Sequence, residues 1–319
     1  MAKPLKITCV GEAMVEISLD GAGAGAVTGA GGGTGAEAGI GFAGDALNTA
    51  VYLRRALGGA HEVAFVSVLG TDPLSARMLA FIAAEDVSVR GITRNPDRLP
   101  GLYAIDTDAN GERSFHYWRE QSAARTLFRD GFEGLRGFDV VFFSAITLAI
   151  LPPDVRCGFL DWLKGWSGLV VFDSNHRPRL WESAEAARQG VARAWQGVAR
   201  AWQRADIGLP SLDDEMALFG DRDEAAVLRR LRACGVRRGA LKRGARGPVP
   251  IGGPSGGDAD YPVADRVVDT TAAGDSFNGG YLAAVLTGVS ERDAMVAGHR
   301  LAVGVIGRAG AIVPVGVGR

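Results

Sequence analysis

A chain of 319 residues can bury a sizeable core, as one large α/β domain or as two smaller ones. Its composition, 47% hydrophobic and 22% charged, excludes a disordered chain. Lys+Arg 35 against Asp+Glu 36 leaves a formal charge of -1, which excludes a nucleic-acid or polyphosphate surface held by bulk charge, so any anion must be held locally.

From the N-terminus, Lys6–Gly11 reads as a first buried strand, with Glu12 and Glu16 interrupting the apolar run before a signal-peptide core can form. No run approaches the roughly 18 apolar residues of a membrane helix. Residues 21–39 are almost all Gly and Ala, too poor in bulky side chains to bury a face, and read as a mobile loop. Further strands are expected at Val63–Leu69, Asp139–Phe143, Leu169–Asp173, Asp206–Leu209 and Gly239–Lys242. Helices are expected at Asp45–Leu57, Asp72–Glu85, Pro153–Trp166, Glu182–Arg204, Asp223–Cys234, Gly274–Thr287 and Ser290–Arg308. This alternation implies βαβ units and a mainly parallel sheet covered on both faces.

Residues 101–119 break the rhythm and read as a β-hairpin turning at Asp108–Gly111. A three-residue loop there sets Tyr103 opposite Tyr117, with Arg119 on the same face. Two tyrosines and an arginine suit a polar ligand; equally, the aromatic pair could merely steady the hairpin. In the long helix the heptad QGVARAW occurs twice, Gln189–Trp195 and Gln196–Trp202. Seven residues are nearly two helical turns, so the duplication keeps the apolar face in phase and reads as a tolerated lengthening.

Chemistry concentrates in Val267–Leu286, VVDTTAAGDSFNGGYLAAVL. An extended run ends at Asp269, small residues follow, and a helix begins near Asp275. Such a junction points the N–H groups of Ala272, Ala273 and Gly274 at an open helix end, where they can hold an anion. Asp275 then reads either as a carboxylate facing a substrate hydroxyl or as a plain helix N-cap. The other phosphate signatures fail. None of the four lysines follows a glycine, which removes a GxxxxGK[ST] loop, and the GxGxxA spacing of Gly21, Gly23 and Ala26 lacks the helix it needs. His61, His116, His176 and His299 do not cluster at metal-ligand spacing. Cys9, Cys157 and Cys234 lie far apart, which argues against a disulfide framework and suits a reducing cytoplasm.

The segment DTTAAGDSFN (Asp269–Asn278) resembles the DTxGAGD signature of ribokinase-like (pfkB-type) sugar kinases, with Ala272 in place of the first glycine. Gly11-Glu12 with Phe42–Asn48 (FAGDALN) is similar to that family's GGDxxN substrate motif, with Ala43 replacing a glycine. Gly101–Arg125, Ile150–Arg156, Phe172–Trp181 and Leu209–Gly220 look like the branch acting on 2-keto-3-deoxygluconate.

The resemblance implies one domain over residues 1–319: a three-layer α/β/α sandwich with a mainly parallel sheet. It also implies a small β-sheet lid drawn from about 12–43 and 97–120. The implied reaction is phosphorylation of the sugar acid at its 6-hydroxyl by ATP, with Mg2+ carried by the nucleotide and no metal bound directly by side chains. Asp275 is implied as the base, and Ala272, Ala273 and Gly274 as the anion hole. Gly44, Asp45, Asn48, Tyr103, Tyr117, Arg119 and Arg177 are implied around the sugar acid. Asn175, Arg177, Ser211, Lys242, Gly244, Gly247 and His299 are implied around ATP, together with Ala272 and Gly274. Ser211 and Asp214 stand where the family has NxxE. The implied partner is a small sugar acid, with no nucleic acid and no membrane; a homo-oligomer stays open. A kinase of a neutral sugar, or a catalytically silent sugar-binding protein on the same fold, are the alternatives.

Overall fold

The computed structural model describes residues 3–18, 38–107, 113–181, 187–253 and 261–315. In chain order the elements are β1 (Lys6–Val10), β2 (Met14–Ser18), β3 (Gly39–Ala43), α1 (Asp45–Leu57), β4 (Glu62–Gly70), α2 (Pro73–Ala84) and β5 (Ser88–Asn95). The hairpin β6 (Gly101–Thr107) and β7 (Arg113–Trp118) follows. Then come β8 (Val140–Ser144), α3 (Ala145–Ile150), α4 (Pro153–Gly165), β9 (Leu169–Asp173), α5 (Ala187–Arg204), β10 (Ile207–Gly208) and α6 (Leu212–Phe219). The chain closes with α7 (Glu224–Ala233), β11 (Arg238–Leu241), β12 (Val249–Pro250), α8 (Ala273–Leu286) and α9 (Glu291–Ile306).

The main sheet runs β12-β11-β10-β9-β8-β1-β4-β5 and is parallel except for the β11–β12 pair. Its strands divide their side chains between two cores, as strand periodicity demands. Ile7, Cys9, Val140, Phe142, Val171 and Ile207 face the core under α1, α2, α8 and α9. Val10, Val141, Phe143, Val170 and Phe172 face the core under α3 to α7. The three-layer α/β/α arrangement follows from this alternation. A second sheet, β3-β2-β6-β7, joins two separated stretches of chain. In it Tyr103 lies opposite Tyr117, as the hairpin reading expects, with ring centroids 5.7 Å apart.

The strand order reverses beside β1: β4 and β5 lie on one side, β8 to β12 on the other. Ligands of open α/β sheets sit in the crevice beyond the carboxyl ends of strands at such a reversal. Here the crevice is fenced by helix starts. Ser144, the last residue of β8, caps α3 in a capping box with Thr147, and the Thr147 hydroxyl ties back to Val10 O at 2.7 Å.

Some expectations shift. Gly39 belongs to β3 rather than to a mobile loop, because Ile40 and Phe42 pair with Ile17 and Val15; residues 21–37 of the Gly/Ala tract lie outside the described residues. So does the turn at 108–111. The long helix is described from Ala187, not Glu182, and the side chains of the first QGVARAW copy are likewise outside; the second copy buries Val198, Ala201 and Trp202. The chain also forms α3, β5 and α6, which the sequence reading did not anticipate.

Candidate active site

Asp275 stands in the first turn of α8, and the N-cap is Ala272, which makes no side-chain cap bond. That removes the N-cap reading of Asp275. Its carboxylate instead accepts from Asn48 Nδ2 at 2.8 Å. Asn48 is oriented by its own helix start: its Oδ1 accepts from Gly44 N at 3.3 Å, so the amide nitrogen is left to face Asp275. Gly44 is required here for close approach, since a Cβ on it would fall 2.1 Å from Glu12 O. Burial, with the Asp45 and Asp173 carboxylates nearby, pushes the Asp275 carboxyl up to about 7. A carboxylate held near neutrality is suited to taking a hydroxyl proton.

Beside it lies a chain of hydrogen bonds across the strand ends. Asp45 Oδ2 accepts from the Ser144 hydroxyl and from Asn175 Nδ2, the latter at 3.0 Å. The Asn175 N–H donates to Asp173 Oδ1 at 3.1 Å. Asp173 Oδ2 accepts from Lys242 Nζ and from Asn278 Nδ2, each at 2.7 Å. Asn48, Asp45, Asn175, Lys242 and Asp275 are thus brought together from four separate stretches of chain.

At the start of α8 the three residues expected around an anion differ in their surroundings. Ala272 adopts the left-handed conformation, φ 59, that favours glycine, and it packs against two small apolar clusters, one containing Tyr103 and Ala311 and the other Tyr52 and Val313. The Ala273 N–H turns back onto Thr270 O at 3.2 Å, so it is already engaged. Gly274 lies in the first turn, where no intrahelical acceptor exists. A Cβ on Gly274 would meet only Lys242 Nζ, at 3.4 Å. Gly274→Val is therefore expected to fold, to crowd both this N–H and the ammonium, and to lower kcat about tenfold, part of the cost of losing an anion-hole donor outright. Steady-state kinetics on the folded variant checks this; unchanged kcat would move the phosphate away from this helix end.

The remaining expected residues divide. Gly244 opens a 3-10 turn and Gly247 follows it, both at positive φ, and Arg243 Nε donates to Gly247 O at 2.8 Å. His299 reaches Pro262 O at 3.0 Å through Nε2, against the Tyr261 ring. Ser211 is the N-cap of α6, accepting from Asp214 N at 3.3 Å. Arg177 is exposed and sits 3.9 Å from Asp214, so its charge lies at the α6 end of the crevice. On the small sheet, Tyr103 is buried with its hydroxyl on Glu16, Tyr117 is exposed, and Arg119 is buried in an ion pair with Glu12. The Arg119 Nε and Glu12 Oε1 are buried without a partner.

Sequence reasoning did not single out Asp173, Asn278, Ser144 or Glu16 as site residues, and it gave Glu12 only as part of a motif. Two carboxylates set in one apolar stretch of sequence, as Glu12 and Glu16 are, are themselves a signal, because a buried carboxylate needs a partner.

Residues 4–316 match the pfkB family carbohydrate kinase. The chain belongs to this family. It is 40% identical to the 2-dehydro-3-deoxygluconokinase of Escherichia coli K12, over 97% of each chain. Among solved structures, a PfkB protein from a Polaromonas species superposes with TM-score 0.76 at 24% identity, covering 94% of this chain and 95% of that one. A putative ribokinase II from E. coli, in complex with ATP and Mg2+, superposes with TM-score 0.75 at 20% identity, covering 97% and 94%. These two likenesses bear on the fold. The sugar-kinase family makes a small sugar the substrate class, and no described helix is long and apolar enough to cross a membrane.

Proposed function

We propose that this chain transfers the γ-phosphoryl group of ATP to the 6-hydroxyl of 2-keto-3-deoxygluconate (2-dehydro-3-deoxygluconate). The observation that carries the chemistry is Asp275, held by Asn48 at the start of α8 with its carboxyl raised to about 7. The near full-length relationship to a 2-dehydro-3-deoxygluconokinase carries the substrate. Asp275 accepts the hydroxyl proton as the sugar oxygen bonds to phosphorus and the bond to ADP breaks. This loose transition state asks for positioning and charge stabilisation rather than covalent help. The Gly274 N–H, in the first turn of α8, contributes to that stabilisation. Asp45, with one oxygen engaged by Ser144 and Asn175, keeps the other for a substrate hydroxyl. The small sheet covers the sugar side and brings Tyr103, Tyr117 and Arg119 to it, with Arg119 set against the substrate carboxylate.

The donor set fits a magnesium ion that arrives on the nucleotide. No group of three His, Cys, Asp or Glu among the described residues could hold an ion by itself, and Asp214 at the α6 end would meet its water shell. When bound, the ion neutralises charge on the phosphates. ATP as co-substrate and the unpaired Cys9, Cys157 and Cys234 support a cytoplasmic location.

A pH profile tests the base. Asp275 acts only when deprotonated, so kcat/KM should rise tenfold per pH unit below about 7 and level off above it. A rate flat from pH 5.5 to 8 would remove Asp275 from proton transfer.

A further inference from the structure

We propose that Lys242 is a catalytic residue whose ammonium contacts the transferring phosphoryl group, and that Asp173 and Asn278 are positioning residues that hold it there. This goes beyond a general place for Lys242 in the loop over ATP. It rests on the reading of the Gly274 end of α8 as the phosphoryl site.

The backbone of Lys242 is fixed first. Its N–H donates to Pro210 O and its C=O accepts from Leu212 N, both at 2.8 Å, which docks it beside Ser211. From there the side chain reaches the ends of β9 and α8. Nζ donates to Asp173 Oδ2 at 2.7 Å and to Asn278 Oδ1 at 3.1 Å. The Asn278 amide closes the triangle, because its nitrogen donates to the same Asp173 oxygen at 2.7 Å. Both ends of the Asn278 amide are thereby specified, oxygen toward the ammonium and nitrogen toward the carboxylate.

The side chains are largely closed to solvent, 12% exposed for Lys242 and 4% for Asp173. A lone ammonium or carboxylate in that setting is costly, and the pair with its bridging amide removes the cost. An ammonium has three protons, and two are taken by Asp173 and Asn278. Nζ lies 3.4 Å from where a Cβ of Gly274 would be, so the ammonium borders the first turn of α8. A phosphoryl group on the Gly274 N–H is within reach of its third proton. Asp275, three residues before Asn278, is on the same turn of helix, so the base and one of the two groups that hold the ammonium share one rigid element. Lys242 moves no proton in this scheme. It supplies fixed charge where negative charge is rearranged between the γ-phosphoryl oxygens and the departing ADP.

The test is a double-substitution cycle read in two ways. Calorimetry on Lys242→Met should show ATP affinity falling about tenfold, with ADP affinity changing less than about twofold, because only ATP carries the transferring group. In turnover of the sugar acid, Lys242→Met should lower kcat about thirtyfold, within the range of a charge-assisted hydrogen bond, and Asp173→Asn about fivefold, less because the ammonium is displaced rather than lost. With kcat read at pH 8.5, on the plateau where the effect of Asp173 on the Asp275 carboxyl no longer alters the deprotonated fraction, Asp173→Asn should cost nothing further when Lys242→Met is already present, since a positioning residue acts only through the group it holds. Asn278→Ala gives the same cycle if Asp173→Asn fails to fold. Additive losses would make Asp173 and Asn278 merely structural, and equal weakening of ATP and ADP would place Lys242 away from the transferring phosphate; either overturns the proposal. Wild-type protein that turns over no sugar acid would overturn the substrate reading instead, and the ATP-against-ADP comparison would still decide Lys242.

Discussion

Asp275→Asn is expected to lower kcat by about 10²–10⁴, the typical contribution of a positioned general base, while ATP binding changes little. An amide at this position can still meet Asn48 but cannot accept the hydroxyl proton. Stability should move the other way. The folded carboxyl is raised from 3.8 to about 7, so between those pH values the unfolded chain releases a proton that the folded chain retains. Folding stability therefore declines as pH rises through that window, and the native state at pH 8 carries the full penalty of a buried, crowded charge. Removing the charge relieves it. The variant should melt above wild type at pH 8, with the difference shrinking as pH falls toward 4. Rate loss together with a raised melting temperature identifies a residue kept for chemistry at the expense of stability. A variant with more than about a tenth of wild-type turnover would end the assignment of Asp275 as base.

Arg119→Ala is expected to lower kcat/KM for the sugar acid by roughly 10–150-fold, from one charge-assisted hydrogen bond of about 1.5–3 kcal/mol. Turnover of fructose should fall far less. The ion pair with Glu12 adds a structural side to this experiment. Both partners are buried, and deleting one partner of a buried pair strands the other charge, which costs about 3–5 kcal/mol. Arg119→Lys controls for that: it keeps the charge against Glu12, and so the fold, but loses the planar fork that engages two acceptors at once. It should recover stability almost fully and acid turnover only in part. An equal proportional loss for acid and fructose in both variants would show that Arg119 does not read the carboxylate, and a neutral-sugar preference would then become the better account.

Much of the architecture is legible in local pattern, because strands buried on both faces read as short apolar runs and the helices between them carry caps such as Asp72, Asp223 and Ser290. The elements that escape reading lack that signature. β5 is a half-exposed edge strand, Ser88–Asn95, with two arginines. α3 is six residues of almost unbroken apolar sequence continuing from β8, so no change of period marks where the strand stops. α6 begins with three consecutive acidic residues, Asp213 to Glu215, which resemble a loop until Glu215 is seen buried against Arg230 and Trp202. At the site, the residues that could be named had a local motif around them: Asp275 and its small neighbours, or Asp45 and Asn48 at one helix start. Asp173, Ser144 and Asn278 acquire meaning only from partners 69, 99 and 105 positions away, and no local pattern records a pairing of that kind. The ion pair of Arg119 with Glu12 is the same case, joining the end of the hairpin to the end of β1.

The central claim is a kinase that selects a sugar acid through a carboxylate-reading hairpin and transfers phosphate at the start of α8. Steady-state kcat/KM for 2-keto-3-deoxygluconate, fructose and ribose at one fixed concentration of Mg-ATP tests it most directly, with the phosphorylated position of the product read by ³¹P–¹H correlation. The expected result is a preference for the acid of at least about 10², the scale of one charge-assisted contact, with phosphate on the 6-oxygen. Comparable or faster turnover of fructose or ribose, or ATP binding without phosphorylation of any of the three, would contradict it.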